Sequence, residues 1–409
     1  MNSFDQQLSA ELDQLQAAGL RRELREVATP QGTRIAVGGR LLLNFSSNDY
    51  LGLASSPVLT EAAGKAAHDF GAGSGASRLI CGSLRVHHEL EETLAAFKGT
   101  DAALSFSSGY ATALGTITAL LGKDDILIVD KLVHACVIDA ARLCGAKLRV
   151  FAHNDANDLE RKLKWATEKA RNADHGRRNT RTLVVTESVF SMDGDLAPLR
   201  DIVELKDRFG AWLMLDEAHA TGLFGEHRRG LAEACELAGR VEIQMGTLGK
   251  ALGAAGGYIC GSRALIDLLI NRARSFIFST APAPAAAAAA TAAIGFVQSG
   301  DGESRRALLW QQVDAVKNAV IHSGRGIGPV QSPILPLVIG DETAALNAAA
   351  ALRERGVFIP AVRYPTVAKG EARLRLTVTA SHTHEDITEL QSALCMMPQT
   401  PTQLVTHDS

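Results

Sequence analysis

Residues Ala211 to Gly222 read AWLMLDEAHATG. A short apolar run without helical spacing reads as a buried strand; it delivers Asp216 at its end, and His219 follows one turn later. Both polar groups then lie at the carboxyl edge of a sheet, where open α/β sheets bind ligands. An acid there can also be a helix N-cap or half of an ion pair. Similar runs recur at Ala102 to Phe106, Ile126 to Val129, Leu148 to Phe151, Thr182 to Thr186, Ile243 to Met245 and Tyr258 to Cys260. Helical text separates most of them. The alternation predicts the α/β class, with a mostly parallel seven-stranded sheet covered on both faces.

Outward from that sheet, residues 1–45 read as an N-terminal arm: a charged helix over residues 4–27, then short strands at Arg34 to Val37 and Leu41 to Phe45. Residues 46–292 form the expected large domain. Residues 293–397 read as a smaller α+β domain, with strands at Ile334 to Ile339, Val357 to Pro360 and Arg373 to Thr379, and helices at Thr343 to Arg355 and from His384. Residues 398–409 are a polar tail, and Asn172 to Thr180 a solvated loop.

Composition bounds the function. Of 409 residues, 46% are hydrophobic and 21% charged, and the net charge is −3 with no long basic run. That favours a soluble globular protein and disfavours a nucleic-acid partner. The N-terminus, MNSFDQQLSAELDQL, has no apolar signal segment. The most apolar stretch, Ala281 to Ala293, is shorter than the roughly 20 residues that span a membrane. It reads as a small-residue helix with Pro282 and Pro284 near its start. The six cysteines form no C-x-x-C pair, and most stand in apolar text suited to buried, reduced thiols. A cytoplasmic protein without membrane contact is expected.

A second stretch, GTLGKALG (Gly246 to Gly253), places Lys250 among glycines after another apolar strand, with Thr247 nearby. Small neighbours let a planar ligand approach the amine, and a desolvated lysine is suited to Schiff-base chemistry, although a lysine among glycines can also be a solvated loop residue. Rival motifs fail. Asp216 to His219 spells DEAH, but the accompanying phosphate loop G-x-x-x-x-G-K-[ST] is missing, with Ala251 after the lysine. GAGSGA at Gly71 to Ala76 follows helical text rather than a strand, against a dinucleotide fingerprint. His87, His88, His382 and His384 lack acidic or thiol partners at ligand spacing, so no metal site is expected.

Together, Asp216, His219, Thr247 and Lys250 resemble the cofactor site of the fold-type I, aspartate aminotransferase-like superfamily of pyridoxal-5'-phosphate (PLP) enzymes. The resemblance narrows to the α-oxoamine synthases and covers nearly the whole chain. Its segments are NFSSNDYLGLA (Asn44 to Ala54), GSGASRLICGS (Gly73 to Ser83), HHELEETLAAFKG (His87 to Gly99), SSGYATA (Ser107 to Ala113), TESVFSMDGDLAPL (Thr186 to Leu199) and DEAHATGLFGEHRRG (Asp216 to Gly230). FAHND (Phe151 to Asp155), ILPLVIGD (Ile334 to Asp341) and AVRYPTVAKGEARLRLTVTASH (Ala361 to His382) are similar to the biotin-pathway branch of that family.

The resemblance implies a PLP-dependent acyltransferase. It assigns Lys250 to the covalent link with PLP, Asp216 to the ring nitrogen, His219 and Ser191 to the phenolic oxygen, and His134 to the ring face. His134 alone could equally be a capping residue. The cofactor phosphate falls to the amides of Gly109 and Tyr110 and the hydroxyl of Thr247. Arg375 is implied as the clamp for the amino-acid carboxylate; Arg373 is expected to face away and to be structural. Arg21, with Arg22 adjoining it in an open register, and Thr366 are implied substrate contacts. The implied substrates are L-alanine and pimeloyl-CoA or pimeloyl-acyl carrier protein. Active sites are expected at the interface of a homodimer, completed by Ser279 and Thr280 of the second copy. Alternatives within the family are glycine users such as 2-amino-3-ketobutyrate CoA ligase and 5-aminolevulinate synthase, or a serine palmitoyltransferase. A non-catalytic synthase subunit is the alternative outside enzymes, disfavoured by the presence of Lys250.

Overall fold

Short apolar runs become strands here, most of them buried on both faces; the run at Lys147–Phe151 is the exception, with Lys147, Arg149 and Val150 exposed. The computed structural model describes residues 3–171 and 180–397. In chain order it runs α1 (Ser3–Ala17), β1 (Arg34–Val37), β2 (Arg40–Asn44), α2 (Pro57–Phe70), α3 (Arg85–Lys98), β3 (Ala102–Phe106), α4 (Gly109–Leu120), β4 (Ile126–Asp130), α5 (Ala135–Cys144), β5 (Lys147–Phe151) and α6 (Ala156–Arg171). It continues with β6 (Thr182–Glu187), α7 (Leu199–Arg208), β7 (Trp212–Asp216), α8 (Leu231–Ala234), β8 (Ile243–Thr247), β9 (Gly257–Gly261), α9 (Arg263–Arg272), α10 (Arg274–Ile277), α11 (Pro284–Gln298) and α12 (Gly300–His322). The last elements are β10 (Ile334–Gly340), α13 (Glu342–Glu354), β11 (Val357–Phe358), β12 (Ala361–Val362), β13 (Ala372–Thr377) and α14 (His384–Cys395). The expected loop at Asn172 to Thr180 lies outside the described residues except for Thr180, and the expected tail lies wholly outside them.

The chain divides into two units, Asn48–Leu308 and a second built from residues up to Ser47 together with those from Leu309 onward. The first carries the seven-stranded sheet, in the order β3-β9-β8-β7-β6-β4-β5. Only β9 runs antiparallel to its neighbours. The fold is therefore the expected mostly parallel α/β sheet. Apolar side chains of β3, β4, β6 and β9 pack with α4, α5 and α9 into one core that includes Leu104, Ile117, Leu127, Val137, Val185, Ile259 and Leu269.

The unit boundaries differ from those the sequence suggested. A boundary after residue 292 falls inside α11, whose small apolar face, with Ala287, Ala290, Ala293 and Val297 buried, packs against α2 and α3. Residues 1–45 are not a separate arm, because β2 pairs in parallel with β11 (Leu43 with Val357) and Phe45 stacks on His382 at 4.0 Å between ring centroids. The first helix is also shorter than residues 4–27. It stops at Ala17, before Gly19 adopts a left-handed φ of 66°.

In that second unit β13 lies between β10 and β12. Arg373 and Arg375 stand two residues apart on β13, so they share a face, and the expectation that Arg373 faces away is corrected. Arg373 is nonetheless engaged locally, donating to the Glu371 carbonyl at 3.0 Å and pairing with its carboxylate at 3.3 Å. The thiols also depart from expectation. All six are free, but only Cys136 and Cys260 are buried, while Cys81 and Cys395 are exposed. Among the described residues no helix is long and apolar enough to cross a membrane.

Candidate active site

Parallel strands bring their carboxyl ends to one edge, and the polar residues that end β4, β6, β7 and β8 meet there. Asp216, the last residue of β7, is buried, and its Oδ1 accepts the Ala218 amide at 2.9 Å. Ser188 ties this strand end to β6, donating from its amide and its hydroxyl to the Asp216 carbonyl at 2.9 and 3.0 Å. Burial pushes the Asp216 carboxyl up, and the nearby Lys250 ammonium opposes that shift. The adjoining Glu217 has a structural task. It accepts the amides of Leu231 and Ala232 at 2.9 and 2.8 Å and so anchors α8.

Lys250 stands in the turn after β8. Its Nζ is 2.7 Å from Nε2 of His219, whose Nδ1 is 2.6 Å from the hydroxyl of Tyr50. With a protonated lysine as donor, Nε2 is the acceptor, so the histidine proton sits on Nδ1 and points at Tyr50. The turn is held by Gly253, at a φ of 61°, whose amide donates to the Lys250 carbonyl at 2.8 Å. A Cβ at Gly253 would come within 2.5 Å of the Ala54 amide nitrogen, so the turn packs against the segment that carries Tyr50 only as glycine.

His134 is the N-cap of α5, and its Nδ1 accepts the Cys136 amide at 3.3 Å with the Cys136 Sγ at 3.0 Å. The capping and site readings of this residue are thus compatible. Because Nδ1 is spent as an acceptor, Nε2 carries the proton. Burial pushes the imidazole below its usual range, with Asp216 opposing and Lys250 reinforcing. Burial likewise pushes the Cys136 thiol up, with Asp216 and Glu187 adding to it.

The anion-binding end is built from α4. Ser108 caps it by accepting the Ala111 amide at 3.1 Å, leaving the amides of Gly109 and Tyr110 at a helix N-terminus, where first-turn donors lack intrahelical partners. Thr247 flanks this end: a Cβ at Gly109 would be 4.0 Å from Thr247 Oγ1. The Tyr110 hydroxyl donates to Asp139 at 2.7 Å.

Ser191 lies in the loop after β6, where its backbone favours the charged form of Glu187. That loop is braced from below. His153 bridges Asp130 at 2.9 Å and Asp195 at 2.8 Å, and Asn154 donates from its side chain to Asp195 at 2.8 Å. Burial by itself would lower the His153 pKa, but the two carboxylates outweigh it and push it up to about 9.

The structure thus gathers Lys250, Asp216, His219, His134, Thr247, Gly109, Tyr110 and Ser191 at one sheet edge of Asn48–Leu308. Tyr50 and Glu187 join them and were not singled out from the sequence, although both stand inside the NFSSNDYLGLA and TESVFSMDGDLAPL segments. Arg375, Thr366 and Arg21 belong to the other unit. Within it Arg375 is buried on β13 and donates to Thr377 Oγ1 at 3.0 Å. Arg21 is exposed, 3.9 Å from Glu23, and its carbonyl accepts Arg363 at 2.9 Å, which ties the N-terminal segment to the turn bearing Thr366. Three of the four histidines weighed as metal ligands have other partners: His87 contacts the Pro282 carbonyl at 2.9 Å, His88 the Ser83 hydroxyl at 2.9 Å and His382 the Asn44 carbonyl at 3.0 Å.

Comparison with known proteins gives the relatives of the chain. The family model for aminotransferase class I and II matches residues 40–394. An 8-amino-7-oxononanoate synthase of Anaeromyxobacter sp. (strain K) is 48% identical over 395 residues, 96% of each chain. One from Geobacter sulfurreducens is 45% identical, over 95% of this chain and 96% of its own. Among solved structures, a lysine-to-alanine variant of a serine palmitoyltransferase from S. paucimobilis with a bound PLP–myriocin aldimine is 28% identical, with a TM-score of 0.87 over 95% of this chain and 96% of that one.

Proposed function

The chain belongs to the class I and II aminotransferase family, and on that premise we propose that it acts as an 8-amino-7-oxononanoate synthase. In this reading it is a PLP-dependent acyltransferase that joins L-alanine to a pimeloyl thioester, carried on coenzyme A or acyl carrier protein, with loss of carbon dioxide. The observation that carries the proposal is the hydrogen-bonded chain from buried Tyr50 and His219 to half-buried Lys250, with Asp216 nearby, in a sequence close to such synthases over nearly its whole length.

The donor set suits PLP: an amine on a glycine-flanked turn, a buried carboxylate at a strand end, an Nε2–H imidazole, and helix amides with a hydroxyl for a phosphate. When bound, PLP supplies an electron sink, its protonated ring nitrogen drawing charge from the amino-acid Cα. Asp216 would hold that nitrogen protonated, with burial strengthening the pairing. Gly109, Tyr110 and Thr247 would hold the phosphate, while His134 would cover the ring face and Ser191 and His219 the phenolic oxygen. Lys250 would anchor the cofactor through Nζ and, once displaced by the alanine amine, take the Cα proton. The Cα electron pair then forms the new C–C bond to the thioester carbonyl as the C–S bond breaks and the thiolate leaves. Carbon dioxide departs from the same Cα, and Lys250 returns a proton there. His219 orients Nζ for both transfers through its Nε2. Arg375 is the proposed partner of the alanine carboxylate, by the bidentate fork that guanidinium offers. Arg21 and Thr366 are proposed for the acyl chain, whose distal carboxylate needs a cation if it is removed from water.

A homodimer is part of this reading. Leu79, Ile80 and Phe278 are 51%, 79% and 69% exposed on segments joined by the Ser77–Thr280 bridge, an apolar surface suited to a second copy. Ser279 and Thr280 would reach the second copy's site from there. The free thiols support a reducing cytoplasm. The decisive experiment compares kcat/KM for L-alanine with pimeloyl-CoA or pimeloyl-acyl carrier protein against glycine with acetyl-CoA and L-serine with palmitoyl-CoA. Preference for the first pair is expected. Preference for either other pair would move the protein to another branch of the family.

A further inference from the structure

Glu187 takes no part in the chemistry above, yet it shares the site. It ends β6 directly opposite Asp216 in the parallel register, so the two side chains leave the same face of the sheet. It is 3% exposed, the backbone at His134 and Ser191 favours its charged form, and its Oε1 has no hydrogen-bond partner among the described residues. An ionised carboxylate so placed would hold a second buried negative charge beside Asp216 with one oxygen unsatisfied, an expensive arrangement. The neutral acid adds no second charge and so avoids the larger of these costs.

We infer that Glu187 is a positioning residue that works as a neutral carboxylic acid, leaving the negative charge of the pair on Asp216 while its side chain stands beside the backbone at His134 and Ser191. The use made of the Asp216 charge rests on the PLP reading above. The groups facing Glu187 are Asp216 on β7, Lys250 in the turn after β8, and His134 and Cys136 at the start of α5. Burial is the largest influence and pushes the Glu187 carboxyl up; Asp216 adds to it, Lys250 and the backbone at His134 and Ser191 oppose it, and the outcome is about 8. A pyridinium paired with Asp216 would offset the second influence but not the first. Glu187 therefore keeps its proton at neutral pH.

The test uses the holoenzyme and its E187Q and E187A variants. Glutamine copies the neutral acid in shape and in lacking charge, with an amide NH₂ in place of the O–H. E187Q is expected to keep PLP affinity and kcat/KM within about threefold of wild type, less than one lost hydrogen bond would cost, whereas E187A loses about tenfold or more in PLP affinity. The wild-type minus E187Q infrared difference spectrum at pH 6.5 is expected to show a protonated-carboxyl stretch that fades as the pH passes 8. Absence of that band, or an E187Q variant that loses PLP as badly as E187A, would overturn the inference. If E187A fails to fold, the infrared spectrum and the E187Q affinity decide alone. Neither readout needs turnover, so a wrong substrate assignment would leave both intact.

Discussion

Nζ of Lys250 lies 2.7 Å from Nε2 of His219, and through that ring the amine is connected to the Tyr50 hydroxyl, 2.6 Å from Nδ1. The contact orients the amine and sets the histidine tautomer together. The Tyr50 hydroxyl continues the chain to Asn48 Oδ1 at 3.4 Å. A lysine that must give up and recover a proton is thus held by a partner whose own proton is locked on the far nitrogen.

Tyr50→Phe removes the acceptor for that far proton inside a fully buried site. Leaving a buried donor unpaired costs about 1–3 kcal/mol, so kcat should fall roughly 5- to 160-fold. KM for alanine should move little, and the acid limb of the kcat profile should shift. Unchanged kcat across pH 6 to 9 would remove Tyr50 from the relay.

Lys250→Ala should abolish covalent cofactor attachment without unfolding the protein. Borohydride reduction followed by intact-mass measurement should add a reduced pyridoxal phosphate to wild type and nothing to the variant. Equal labelling of both would place the link on another lysine.

Asp216→Asn preserves the shape of the strand end but not its charge. The variant should bind PLP and lose about 10²- to 10³-fold in kcat, the range seen when a preorganised electrostatic contact is removed. Visible absorption and single-turnover assays at pH 7 check the two halves, and near-normal kcat would refute the proposed role.

His153 predicts a pH dependence of stability. Its pKa rises from an ordinary 6.5 to about 9 in the fold, because Asp130 and Asp195 favour the charged ring more than burial disfavours it. The sign follows: the stabilisation is fully present below pH 6.5 and disappears as the pH climbs through 9. Two to three pKa units correspond to an upper value of roughly 3–4 kcal/mol. The wild-type advantage in denaturation midpoint over His153→Asn should therefore be large at pH 6 and shrink towards pH 9.5. A constant difference would mean the clamp acts without its charge.

Local pattern was enough for the strands of the large sheet. Their apolar runs, such as Ala102–Phe106 and Trp212–Asp216, are short, continuous and flanked by helical text, and a strand buried on both faces has no other sequence signature. The same pattern set Asp216 at a strand end and Lys250 in a glycine turn, since both follow from position along one element. Tertiary structure alone decided which groups those residues meet. Tyr50 reaches His219, Glu187 faces Asp216, and His153 binds Asp130 and Asp195 across separate elements. It also decided that residues 34–44 join the C-terminal unit, through a parallel pairing with β11. Hydrogen bonds and charge coupling depend on distance and burial in the folded chain, and neither is encoded in the spacing of residues along a single element.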